Sequence, residues 1–375
     1  MFSPEIIQKK LGLPALIEKS GVVFLEKVPS WVLDLKKVNW KPEQVILADP
    51  LSYCAGVVRA DKAVEEMIGV YQDQKDGNGV SVYLYHAPIH NDTKLTEWEN
   101  KGAKVVKSLE EVPDKSPVSV LFSAHGVSPT IWIEAKRKGL KGRDATCPLV
   151  DKTHREAIEL AKKGYKILLV GHEKHDEIVG TFGEAPESIL VVNPKIDRSE
   201  LVNIVEKNKE APLALRTQTT LAVEDTLELI ETVLAVYPDL NLANHSDICF
   251  ATQNRQEAII KTITDAQVDC MIIFGSDESK RQPSSNSIRL REVATEQGVP
   301  AFLVEDITEI DAKWLEQSRK IGLSAGASAD PKRVAEMLAC LTELGVRSDQ
   351  ICRLTVKDES QVFAAAKSFD FSKAD

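Results

Sequence analysis

The sequence has no C-x-x-C pair: its six cysteines stand alone along 375 residues. That excludes zinc ribbons, ferredoxin-type cysteine runs and thioredoxin-like redox motifs, and six isolated thiols make no disulfide framework. No apolar run reaches the roughly 18–20 residues that span a bilayer, so no membrane partner is expected. A basic surface is missing too, since 47 Lys and Arg face 57 Asp and Glu for a formal net charge of -10. Such a balance offers no broad field to nucleic acid or anionic lipid, and an anionic substrate would need a local pocket of donors. Residues 1–43 contain no Arg and only three Ser beside Glu5, Glu18, Glu26 and Asp34. That is unlike an Arg-rich, acid-poor transit peptide, and the segment reads as a cytoplasmic N-terminal extension.

What is present is alternation. Short β-rich runs at 45–48, 81–85, 118–122, 166–170, 189–192, 213–216, 270–274, 300–304 and 320–323 are interleaved with helical patterns such as 149–163, 224–236, 251–265 and 331–343. This order argues for α/β layers with largely parallel sheets. The expected division is 1–43 extension, 44–147, 148–246 and 247–345 as three small α/β domains, and 346–375 as a tail.

Three cysteines occupy matching places in that order. Cys54, Cys147 and Cys249 each precede a helical pattern, with about one small domain (roughly 100 residues) between successive ones. A helix start offers unpaired N–H groups and a positive dipole end, which favour a thiolate or an anionic cluster. A 4Fe-4S cluster used only for electron transfer is normally held by four cysteines; three would leave one iron open to a substrate oxygen. Three buried structural thiols is the competing reading. Cys270, in the apolar run 268–274, and Cys340, among Met337, Leu338 and Leu341, read as small core residues, and Cys352 carries no signal.

Anion-binding loops follow several strands. They are Ser123-Ala124-His125-Gly126-Val127-Ser128-Pro129, with Ser128 as N-cap; the run Ser284-Ser285-Asn286-Ser287, with a helix from about Ile288; and Ser324-Ala325-Gly326-Ala327-Ser328 before Asp330-Pro331. Small residues let a backbone approach phosphate oxygens, while hydroxyls, amides and helix N–H groups cradle them. His90, His125 and His175 stand at strand ends beside such loops, where protonated imidazoles would supply positive charge to a diphosphate. His86, His154 and His245 lack that context and receive no role. Glu177, two residues past His175, is the expected general acid, its proton affinity raised by neighbouring negative charge. Thr219, in Thr217-Gln218-Thr219-Thr220, would place a hydroxyl as a proton relay; the plainer reading is that this run caps the helix starting near Val223.

These residues resemble a known family, the 4-hydroxy-3-methylbut-2-enyl diphosphate reductases, which act last in the methylerythritol phosphate route to isoprenoids. The resemblance runs from about Ala48 to Leu344. It is carried by Tyr53-Cys54-Ala55-Gly56-Val57, Ile89-His90-Asn91, Phe122–Ser128, Asp144-Ala145-Thr146-Cys147-Pro148-Leu149-Val150, Thr217–Leu221, Asp247–Thr252 with Asn254-Arg255-Gln256, Ser284–Ser287 and Ala325–Ser328. It implies three small α/β domains in pseudo-threefold arrangement around a central iron–sulfur cluster. Cys54, Cys147 and Cys249 would hold a 4Fe-4S cluster with one open iron. His90, His125, His175, Ser284, Ser285, Asn286 and Ser328 would bind the diphosphate, with Thr219 near the substrate hydroxyl and Glu177 as proton donor. The implied reaction is a two-electron reductive dehydroxylation to isopentenyl and dimethylallyl diphosphate, fed by a ferredoxin or flavodoxin. The sequence also departs from the family pattern. Pro50-Leu51-Ser52-Tyr53 stands where many members carry Gly-Phe, Asp330-Pro331 inverts a common order, the 277–283 link is long, and Asp176 replaces a usual proline beside Glu177.

Two other classes fit part of this pattern. A quinolinate synthase-like 4Fe-4S enzyme would recognise carboxylates through Arg-lined loops, whereas these are lined by Ser, Asn and His. A cluster-free protein binding a phosphorylated metabolite would keep the loops and have no need of the three cysteines.

Overall fold

The computed structural model describes residues 25, 27–51, 53–114, 119–243 and 247–372. Residues 1–24 and 26 of the expected extension, residue 118 at the head of an expected strand, and His245 lie outside the described residues. The strands, in chain order, are β1 (Gln44–Asp49), β2 (Val82–Tyr85), β3 (Ala103–Val106), β4 (Ser119–Phe122), β5 (Lys141–Asp144), β6 (Lys166–Val170), β7 (Ile189–Val192), β8 (Leu213–Thr217), β9 (Cys270–Phe274), β10 (Ala301–Val304), β11 (Lys320–Ala325), β12 (Ile351–Thr355) and β13 (Lys367–Asp370). The chain folds as two compact units. One holds the described residues of Met1–Cys54 together with His90–Asp92 and Phe250–Ser360; the other holds Ala55–Ile89, Thr93–Cys249 and Gln361–Asp375.

The first unit is a five-stranded sheet in the order β10-β9-β11-β1-β12, parallel throughout. β1 shows why. Val45 and Leu47 pack with Trp31, Leu35, Met337 and Leu341 on one face, while Ile46 and Ala48 pack with Ile259, Leu290 and Val293 on the other. A strand apolar on both sides must be covered on both sides, as parallel sheets are. The helices Ser30–Lys37 and Pro331–Glu343 cover one face, and Phe250–Thr264 and Ser285–Glu296 cover the other.

The second unit contains two sheets. In the order β13-β5-β4-β2-β3, β13 runs antiparallel to β5 and the rest are parallel. Phe369 of β13 stacks on Phe122 of β4, with ring centroids 5.2 Å apart. The order β7-β6-β8 is parallel, and β6 alternates Leu168 and Val170 into one core with Ile167 and Leu169 into another.

The α/β class with largely parallel sheets is therefore borne out, but the expected boundaries differ from the sheets. β1 and Cys54 belong with strands 270–325, not with 55–147, because a strand buried on both faces needs a neighbour at each edge, and β11 and β12 provide them. Nor is 346–375 a tail, since β12 extends the first unit's sheet and β13 the second unit's. Among the described residues no helix is long and apolar enough to cross a membrane.

Candidate functional site

In the first unit, β1, β11 and β9 lie side by side, so their carboxyl ends bring three expected segments together. The amide of Cys54 donates to the Ala327 carbonyl (3.1 Å), and the Ala327 amide donates to Oδ1 of Asn286 (3.0 Å). Nδ2 of Asn286 donates onward to Oγ1 of Thr252 (3.3 Å). Ser284 is the N-cap of Ser285–Glu296, accepting from the Ser287 amide, and the Ser287 hydroxyl also donates to it (2.9 Å). The helix thus begins three residues earlier than expected, because the first serine, not the last, captures the free amides. A β-carbon at Gly275 or Gly326 would overlap the Ser287 hydroxyl, which is why both turns are glycine. The Ser328 hydroxyl and that of Ser276 donate to the carbonyl of His90 (3.0 and 3.4 Å), fixing the His90 backbone against the same loops. Ser284, Asn286 and Ser328 are buried, whereas His90 and Ser285 are half-buried.

The second unit carries the acid. Glu177, in the first turn of the helix Asp176–Glu184, is 2% exposed. Its carboxylate accepts from the Thr219 amide at Oε1 (2.8 Å) and from the Thr219 hydroxyl at Oε2 (2.9 Å). Burial pushes its carboxyl up to about 7, against the opposing pull of those two bonds. The N-cap of the helix that follows the Thr217–Thr220 run is Ala222, without a side-chain bond.

His175 caps the Glu177 helix, its Nδ1 accepting from the Glu177 amide (3.3 Å), and its ring meets that of His125 edge-on at 5.6 Å. The expectation of protonated imidazoles needs correction. Burial holds His125 below the usual range, and burial with the neighbouring His125 pushes His175 down to about 3. An Nδ1 that accepts a backbone bond cannot also carry a proton, so the His175 ring offers a neutral N–H donor at Nε2. Asp176 turns away from Glu177 toward His86, whose Nδ1 lies 2.6 Å from its Oδ1. The ion pair with His86 outweighs burial and lowers the Asp176 carboxyl to about 2. Ser128 takes the N-cap position, but its hydroxyl bonds Thr130 rather than a backbone amide.

The three singled-out cysteines form no disulfide and are half-buried, each at the start of a helix: Ala55–Tyr71, Pro148–Lys162 and Phe250–Thr264. Each amide is tied to a loop that follows a strand: Cys54 to Ala327 after β11, Cys147 to Ala124 after β4 (2.9 Å), and Cys249 to Thr219 after β8 (3.0 Å). Cys270 and Cys340 are buried, and burial pushes their thiols up to about 11 and about 12. Burial therefore separates the three half-buried thiols from two core thiols. Among the described residues no three His, Cys, Asp or Glu side chains converge on a point for one metal ion; a cluster with one cysteine per iron spreads its ligands wider than a single ion does.

Two arginines beside these sites received no role from the sequence. Arg59 donates to the carbonyls of Asp144 and Thr146 (3.2 and 2.9 Å), bracing the segment before Cys147. Arg255, fully buried, grips Glu359 with both carboxylate oxygens within 3.2 Å. Their signal is an arginine inside a helix's apolar stripe, visible only once the stripe's direction is known.

The LytB protein family model matches residues 45–342. A 4-hydroxy-3-methylbut-2-enyl diphosphate reductase of Acidothermus cellulolyticus is 42% identical over 322 residues, 86% of this chain and 88% of that protein. One of Burkholderia pseudomallei is 40% identical over 302 residues, 80% of this chain and 90% of that protein. Among solved structures, the E-1-hydroxy-2-methyl-but-2-enyl-4-diphosphate reductase from Plasmodium falciparum is similar with a TM-score of 0.73 and 30% identity, covering 85% of this chain and 95% of its own. A structure titled (E)-4-hydroxy-3-methyl-but-2-enyl diphosphate reductase, the terminal enzyme of the non-mevalonate pathway, is similar with a TM-score of 0.56 and 27% identity, covering 80% of this chain and 99% of its own.

Proposed function

The chain belongs to the LytB protein family and is a reductase of 4-hydroxy-3-methylbut-2-enyl diphosphate, and from that premise we propose which of its residues carry the reaction. The overall change adds two electrons and two protons to an allylic alcohol, breaks its C–O bond and releases water. Isopentenyl and dimethylallyl diphosphate differ only in the carbon that takes the second proton.

Cys54, Cys147 and Cys249 fit a 4Fe-4S cluster as three half-buried thiols at helix starts. When bound, such a cluster supplies electrons one at a time and, with three protein ligands, an iron available as a Lewis acid.

The chain's own residues supply position and protons. Ser284, Ser285 and Asn286 at a helix start, with Ser328, offer hydroxyl, amide and N–H donors to diphosphate oxygens. His90, His125 and His175 add donors, the last two as neutral rings. Thr219 receives the Glu177 proton at Oγ1 while releasing its own toward the substrate hydroxyl, so the leaving group departs as water.

The observation that carries this assignment is the Glu177–Thr219 pair. A buried carboxyl held near neutrality is a stored proton, and a hydroxyl 2.9 Å away provides its exit. Substrate recognition by Ser, Asn and His, not Arg, favours a diphosphate over a carboxylate. Six cysteines with no disulfide between them suit a reducing, cytoplasmic setting, with a ferredoxin or flavodoxin as electron donor. Anaerobic turnover of 4-hydroxy-3-methylbut-2-enyl diphosphate with a one-electron reductant, followed in Cys54→Ala, Cys147→Ala and Cys249→Ala, tests the assignment. Loss of iron and of turnover in all three is expected; full iron content in any one would overturn the ligand set.

A further inference from the structure

A proton donor that is buried must be recharged after each turnover. Both Glu177 oxygens are engaged by Thr219, on the side from which the proton leaves. The other approach runs along its own helix, where Glu177, Gly180, Thr181 and Glu184 lie three and four residues apart on one face. Against that face packs His154 of the helix Pro148–Lys162, 6% exposed.

The His154 ring is held at one end only. Nδ1 lies 2.8 Å from Oε1 of Glu184, whose side chain is 14% exposed to solvent. Nε2 is buried and bonds no protein group among the described residues. Its neighbours on that side are glycines, since a β-carbon at Gly126 or Gly180 would come within 3.0 or 3.3 Å of it. The Thr181 hydroxyl on the same face is also buried without a protein partner among the described residues. A simple helix brace would need only the Nδ1–Glu184 bond. It gives no reason to bury a second polar nitrogen one helical turn from Glu177, at a cost of about 1–3 kcal/mol.

Resting on the reading of Glu177 as proton donor, we propose that Glu184 and His154 form the path by which Glu177 regains its proton. Glu184 takes a proton from solvent and passes it to Nδ1 of His154. The ring releases its Nε2 proton toward Glu177, through a water shared with the Thr181 hydroxyl. One proton enters at Nδ1 and one leaves at Nε2, and a half-turn of the ring about its Cβ–Cγ bond then restores the starting tautomer, so the charge of the ring is unchanged over a cycle. No electron moves.

The test separates the first turnover from later ones in anaerobically reconstituted holoenzyme with 4-hydroxy-3-methylbut-2-enyl diphosphate and reduced methyl viologen. In His154→Gln and Glu184→Gln the first turnover should proceed at the unmodified rate, drawing on the proton already stored. Steady-state turnover should fall about tenfold or more, with an enlarged solvent deuterium isotope effect and recovery of His154→Gly by added imidazole. Unchanged steady-state rates in both Gln variants would overturn the relay. So would equal slowing of first and later turnovers, which marks a structural role. Absence of turnover in the unmodified holoenzyme would instead overturn the parent reading of the active site.

Discussion

Thr219 bonds the Glu177 carboxylate twice, once through its amide and once through its hydroxyl. One residue thereby positions the acid and offers it a way out. Replacing Glu177 by Gln keeps the size and a hydrogen-bonding end but removes the proton. Turnover of the diphosphate substrate should drop by about 10²–10⁴, with diphosphate affinity within a few-fold of the parent by calorimetry. Parent-like rates would remove Glu177 from the chemistry.

The pH dependence follows in sign. The Glu177 carboxyl, raised from its ordinary value of 4.5 to about 7, is protonated below that point and charged above it. The rate should be level on the acid side and fall as pH rises beyond about 7, and a Glu177→Gln variant should lack that limb. Between about 4.5 and 7 the folded protein binds more protons at this group than the unfolded chain does. Its contribution to stability therefore falls as pH rises through that window and is constant above it.

Thr219→Val removes the hydroxyl but leaves the amide, whereas Thr219→Ser keeps both bonds. Since the hydroxyl bond lowers the Glu177 carboxyl, its loss should move the alkaline limb of the rate profile further up and cut the maximal rate by about tenfold or more. The serine variant should stay near the parent. Equal behaviour of the two variants in the pH–rate profile would reject the relay through Oγ1.

The His86–Asp176 pair gives a stability signature. The raised His86 contributes fully below the ordinary histidine value of 6.5 and loses its contribution as pH rises through its folded value; the depressed Asp176 contributes above 3.8 and loses it as pH falls toward about 2. Asp176→Asn should therefore lower the unfolding free energy by about 1 kcal/mol between those limits and by less on either side. Denaturant titrations at pH 5 and pH 9 measure the difference.

Cys270 and Cys340 lie in the apolar core with thiols pushed far above neutrality. Changing either to Ala should leave iron content after reconstitution unaltered and cost about 1 kcal/mol by denaturant titration, the lost contacts of one sulfur atom. Iron loss would show that the ligand assignment is wrong.

Much of this was legible because it rests on short-range chemistry. Cysteines before helical patterns, small-residue loops after apolar runs, and Glu177 beside His175 are all local signals, and each appeared where the pattern put it. What was not legible depends on distant partners. β5 reads Lys-Gly-Arg-Asp and β13 reads Lys-Ser-Phe-Asp, with no apolar alternation to mark them. They are strands because β4 and β5 respectively lend them a hydrogen-bonding edge, and because a β-carbon at Gly142 would overlap the Val120 carbonyl. The neutrality of His125 and His175 was hidden for a related reason: charge in a side chain is set by what surrounds it, and the sequence shows only what precedes and follows it.

The pairing of β1 with β11 and β12 has a consequence for synthesis. Among the described residues the earliest strand to leave the ribosome waits for partners some 270 and 300 residues behind it, and the other unit's sheet gains an edge only from β13. Contacts so remote in sequence form late. A nascent chain halted before residue 351 would leave one hydrogen-bonding edge of β1 unpaired, so premature stops there should yield a product handed to chaperones and proteases rather than a partly active enzyme.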